Sequence, residues 1–88
     1  MILEGGWIVQ SPVSDENKAI LDQALNGILG STFEPISVAT QVVNGVNYVF
    51  IAKSTPIVPN PVIKLVKIFV SSTPAGSPPK LDKIEDIV

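Results

Sequence analysis

Apolar residues in this chain recur first at helical spacing and then by alternation. Residues 1–13 show neither period and read as an extended arm, in which Gly5-Gly6 is flexible and Pro12 resists helix continuation. Ser14 is a candidate N-cap, and Asp15 and Glu16 suit the positive end of a helix dipole. From Lys18 onward, Ile20, Leu21, Ala24, Leu25, Ile28 and Leu29 draw one apolar stripe, with Asp22, Gln23 and Asn26 mostly opposite. This predicts a helix running to a stop at Gly30. Gly27 inside it costs roughly 1 kcal/mol relative to Ala, which suggests a close approach by another backbone.

The period then becomes two. Residues 33–43 read as a strand with Ile36, Val38, Thr40 and Val42 on one face. Residues 46–53 read as its hairpin partner, where Tyr48, Phe50 and Ala52 alternate with Val49 and Ile51, so both faces are largely apolar. Ser54 to Pro61 is a break, because Pro56, Pro59 and Pro61 cannot donate to a central ladder. Residues 62–70 form a third long strand, Ser71 to Pro79 a turn, and residues 80–87 a final, more polar strand. No repeat or linker divides the chain, so residues 1–88 are expected to form one domain. The pattern predicts an α+β fold with one helix packed across an antiparallel sheet.

The segment Gln41-Val42-Val43-Asn44-Gly45-Val46-Asn47-Tyr48-Val49-Phe50 is two apolar runs hinged on Asn-Gly, a pair that tolerates the positive φ of tight turns. No charge occurs from Gln41 to Ala52. An apolar hairpin tip in water marks a contact surface. The same flat, apolar turn is a candidate hinge for exchanging the helix and first strands between two chains.

Composition narrows the chemistry. At 88 residues the chain can bury roughly 60–65% of its unfolded surface. Apolar residues make up 45% of it, rich enough for some apolar surface to be shared with a partner. Cysteine and histidine are both absent, which removes disulfides, thiol catalysis, thiolate metal sites and the commonest general base. No metal or cofactor is expected, and the lack of cysteine fits a reducing compartment. All six basic residues are lysines, against eight acidic residues, and the net charge of −2 disfavours nucleic acid. No apolar run approaches the ~20 residues of a membrane helix, so no membrane partner is expected. The first residues also lack a basic region ahead of an apolar stretch, so no signal peptide is expected.

Gln41-Val42-Val43-Asn44-Gly45 resembles the Gln-x-Val-x-Gly loop of the cystatins, inhibitors of papain-like cysteine proteases. Val46-Asn47-Tyr48 extends the likeness to the stefin branch, which is intracellular and disulfide-free. Gly5-Gly6, with Met1-Ile2-Leu3 ahead of it, is similar to the glycine pair near the stefin N-terminus. Val66 to Ser71, followed by Pro74 and Gly76, resembles the strand and second loop that carry Leu-Pro-Gly in stefins. By itself the five-residue motif also suits an ordinary hairpin; the three elements in order carry the resemblance. The chain departs from stefins in having Trp7 where many have a smaller residue, and a longer second loop without the leucine.

The resemblance implies a cystatin-like fold, with one long α-helix wrapped by a four- to five-stranded antiparallel sheet. It implies a cytoplasmic, reversible, tight-binding competitive inhibitor of papain-like, cathepsin-like proteases, monomeric or domain-swapped, and not an enzyme. Gly5, Gly6, Gln41, Val42, Val43, Asn44, Gly45, Pro74, Ala75 and Gly76 would then contact the protease. Gly5-Gly6 would let the arm cross the protease backbone closely. Val42 and Val43 would supply uncharged contact area, Gln41 would brace the loop, and Gly45 would leave space for the protease wall. Pro74 would offer a rigid apolar edge. The second reading is a cystatin-fold interaction module without inhibitory activity, motivated by the altered second loop. Trp7 reads as an anchor packed on the sheet, and Asp82, Glu85 and Asp86 as a solvated strand end. A small enzyme is poorly supported, for lack of cysteine, histidine, arginine and a convergent acid pair.

Overall fold

A computed structural model describes residues 6–74 and 76–88. Its elements are β1 (Trp7–Gln10), α1 (Asp15–Ala24), β2 (Ser31–Val43), β3 (Gly45–Pro56), β4 (Lys64–Ser72) and β5 (Lys80–Asp86). The strands form one antiparallel sheet in the order β1-β2-β3-β4-β5. With the helix packed on one face, the architecture is α+β.

Part of the expected arm is a strand. β1 pairs with β2 from Trp7↔Gln41 to Gln10↔Val38. Its last residue holds the helix start: Gln10 Oε1 accepts from the Ser14 amide and from Asn17 Nδ2, each at 3.1 Å. Ser14 is the N-cap, its Oγ accepting from the Asn17 amide at 3.2 Å.

The helix is shorter than its apolar stripe suggested. It has ten residues and ends at Ala24, with Leu25 as C-cap. Gly27 is not a helix-interior residue but a turn residue at φ +89°, and a Cβ there would meet nothing within 4 Å. No backbone approaches it, so that expectation fails. Asn26-Gly27 are poor helix formers, and a positive φ ends the helix before Gly30. Leu21 and Ala24 are buried, Ile20 and Leu25 pack beside them, and Leu29 is 90% exposed beyond the helix end.

The strands also differ from their sequence boundaries. β2 begins at Ser31, β3 runs to Pro56, and Val62 and Ile63 lie outside β4. A bulge between Pro35 and Ser37 expels Ile36, which is 39% exposed and not on the core face with Val38. The bulge shifts the alternation by one residue, so Phe33 and Pro35 share a face with Val38. A second irregularity leaves Asp82 opposite no residue, where it accepts from Ser71 Oγ at 3.2 Å.

Cross-strand rows explain the core. Gln10–Val38–Phe50–Ile68–Ile84 and Ile8–Thr40–Tyr48–Val70–Leu81 run across all five strands on the helix-facing side. Phe50, Ala52 and Ile68 are fully buried, and Leu21, Val38 and Val70 nearly so. The Tyr48 and Phe50 rings stack with centroids 5.9 Å apart. On the opposite face the row Val9–Ala39–Val49–Phe69 ends at Lys83, whose Nζ lies 4.6 Å from the Phe69 ring centroid.

Lys83 also meets Glu85. Its hydrogen bond and then its charge hold that carboxyl below the ordinary glutamate value. The resulting stabilisation is present above the unfolded-state pKa and is lost as pH falls through the lowered one. At so exposed a site it is slight.

Phe50→Ala is expected to destabilise the protein by about 3–5 kcal/mol, because it empties the centre of the core. Ile36→Ser should change stability by less than about 0.5 kcal/mol. Urea midpoints of the two variants check both.

Candidate functional site

The sheet order gathers three sequence-distant segments at one end. β1 starts beside the end of β2, the β2–β3 hairpin turns there, and β4 leaves there for the turn into β5. Trp7 faces Gln41, Gln41 faces Asn47, and Asn47 faces Ser71. Gly6, the Val42–Gly45 tip and the described residues of the second turn, Thr73, Pro74 and 76–79, therefore lie along one edge. Gly5 and Ala75, expected at the same site, lie outside the described residues.

Gln41 does not project as part of the tip. Its Oε1 accepts from Asn47 Nδ2 at 3.0 Å, a brace across the hairpin as expected of it. Val42 and Val43 are 51% and 48% exposed. Asn44 is exposed at the bend. Of the Asn-Gly pair Gly45 alone takes a positive φ, +113°, so the bend is not a type I′ turn, which needs a positive φ at both central residues. A Cβ on Gly45 would sit 2.1 Å from the Ser72 carbonyl oxygen. The space this glycine frees is thus occupied by the chain's own second loop. Pro74 and Gly76 are exposed, and Gly76 has φ +76°.

Trp7 is the residue that sequence reading placed differently. It is 48% exposed rather than packed away, and it stands beside the hairpin through its pairing with Gln41. Trp7-Ile8-Val9 is a continuous apolar run without alternation, so no local pattern assigned Trp7 to a face. No charged residue occurs in Trp7–Gln10, in Gln41–Ala52 or in Ser71–Pro79, so this end is neutral and half apolar. Among the described residues no cluster of histidine, cysteine or carboxylates is arranged to hold a metal ion. No helix among them is long and apolar enough to cross a membrane. The geometry suits contact with another surface.

No protein-family model matches the chain, and no curated protein or solved structure matches it.

Gly45→Ala is expected to cost more than about 1 kcal/mol, because both its φ and the Ser72 carbonyl oppose a Cβ. Amide shifts at Ser72 and Thr73 should accompany the loss. A urea melt with unchanged midpoint would show that the two loops do not press on each other.

Proposed function

We propose that this protein is a reversible, tight-binding competitive inhibitor of papain-like, cathepsin-like cysteine proteases, with a stefin-like cystatin fold. One observation carries the reading: three uncharged segments, separate in sequence, share one end of the sheet. Two of them are the hairpin and second loop in which the chain resembles the stefins, and the third, Trp7–Gln10, follows directly on the Gly5-Gly6 pair of the arm resemblance.

The physics of the edge suits this work. Val42 and Val43 are half exposed, so completing their burial in an apolar cleft contributes about 1 kcal/mol each. The Gln41–Asn47 brace and the Gly45–Ser72 contact pre-form the hairpin, which lowers the ordering cost on binding. In this reading the four pairs from Trp7 to Gln10 anchor the arm beside the hairpin. No peptide bond need face the protease nucleophile, so the inhibitor leaves intact. A chain without cysteine suits the reducing cytoplasm.

Titration of papain with the intact protein is expected to show reversible, saturable inhibition, and none at micromolar concentration rejects the proposal. Val43→Asp, which drives a charge into a dry cleft, should weaken inhibition at least roughly tenfold. Removing residues 1–6 should act mainly by faster dissociation. A folded protein that binds papain-like enzymes and leaves them active would instead support a non-inhibitory interaction module.

The hairpin turn is also the proposed hinge of a domain-swapped dimer, in which β2 and β3 become continuous. Heating near the melting point should yield a slowly exchanging dimer on size exclusion that has lost inhibition. Persistence of monomer alone rejects the hinge.

A further inference from the structure

The last strand of the sheet is an open edge. One side of β5 pairs with β4, and among the described residues no strand lies on the other. Its sequence Lys80-Leu81-Asp82-Lys83-Ile84-Glu85 mirrors itself with the charges inverted: lysine against glutamate at the ends, leucine against isoleucine within, aspartate against lysine at the centre. Faces decide whether that symmetry is usable. In a regular strand Lys80 and Glu85, at odd spacing, lie on opposite faces and cannot meet across a two-fold axis. The extra residue at Asp82 changes this. Leu81 lies opposite Val70 and Ile84 opposite Ile68, on the core side. Lys80, Lys83 and Glu85 lie opposite Ser71, Phe69 and Lys67, on the outer side. The Asp82 carboxylate reaches Ser71 Oγ, so it is on the outer side as well.

We propose that β5 pairs antiparallel with β5 of a second copy of this chain, about a two-fold axis between Asp82 and Lys83. Lys80 then faces Glu85 of the second copy, Asp82 faces its Lys83, and Leu81 faces its Ile84, each pair occurring twice by symmetry. A slip to either neighbouring register sets Lys83 against Lys83 or Asp82 against Asp82, and brings the core-side Leu81 opposite the outer-side Glu85 or Lys83. Charge complementarity selects the occupant. Among the described residues no carboxylate is within ion-pair distance of Lys80 and no ammonium of Asp82; the pairing supplies both. Ile84, 37% exposed, ends its core-side row, and Leu81 of the second copy continues that row across the axis. Lysines and bulges also occur on edges guarded against pairing. A guard must repel its own copy, whereas these charges attract it in the register that the faces allow. The hairpin tip takes no part, so this dimer is separate from protease binding and from strand exchange at the hairpin turn.

Sedimentation equilibrium of the full-length protein, never heated, is expected to show a rapidly reversible, concentration-dependent dimer. Lys80→Glu and Glu85→Lys each set like charges against one another and should weaken it at least roughly tenfold. An equimolar mixture of the two variants restores opposite charges at both ends of the pairing and should dimerise as the parent does. A merely structural effect of either substitution is not mended by mixing. In the labelled parent, amide shifts that grow with concentration are expected from Leu81 to Glu85. Monomer alone at millimolar concentration overturns the proposal. So does a dimer that both variants leave intact, a mixture that associates no better than its components, or concentration-dependent shifts confined to residues 42–45 or 57–63.

Discussion

The register of β2 against β3 ties together parts of the chain that are far apart in sequence. It runs from Ser31↔Pro56 to Val43↔Gly45. In it Val38 meets Phe50 and Thr40 meets Tyr48, so the largest side chains fall on the helix-facing side. A slip of one residue would carry Phe50 to the opposite face and expose it. The same register decides what flanks the hairpin. β1 is laid on β2 so that Trp7 reaches Gln41, and β4 on β3 so that Ser72 reaches Val46. The edge made by three segments is a consequence of core packing as much as of its own residues.

That packing is uneven along the sheet. Leu21 and Ala24 cap the rows containing Phe50 and Ile68, and Gln10 fastens the helix start. Toward Ser31 and Pro56 the core face opens into a half-open hollow of about 210 Å³ beside Val62 and Ile84, with no residue of the helix in its lining. The two ends therefore differ in character. One presents a braced, neutral rim; the other presents an apolar hollow with a neutralised ion pair beside it.

Much of this plan is legible in the sequence. Ser14, Asp15 and Glu16 mark the helix start, and the alternation of Tyr48, Phe50 and Ala52 marks the buried face of β3. The apolar, uncharged tip at Val42 and Val43 stands out for the same reason, since local pattern alone identifies it. Two of the misreadings share an origin. The stripe through Ile28 and Leu29 continues at helical spacing, yet Gly27 turns the chain before those residues can use it. Ile36 continues the alternation toward Val38, yet a bulge removes it from the row. Periodicity reports what a segment is able to bury, and the tertiary fold decides whether it has anything to bury against.

The sequence by itself determined the helix and the four strands that follow it, the neutral hairpin, and the absence of thiol, imidazole and guanidinium chemistry, while the first strand was legible only as an extended arm. These depend on residue type and near-neighbour spacing. Only the tertiary structure decided that Gly45 is required by the Ser72 carbonyl, that Trp7 stands half exposed beside Gln41, and that a pocket lies beyond the helix end. Each depends on strand register and helix length relative to the sheet. Those quantities are set by long-range packing, which no local window of residues contains.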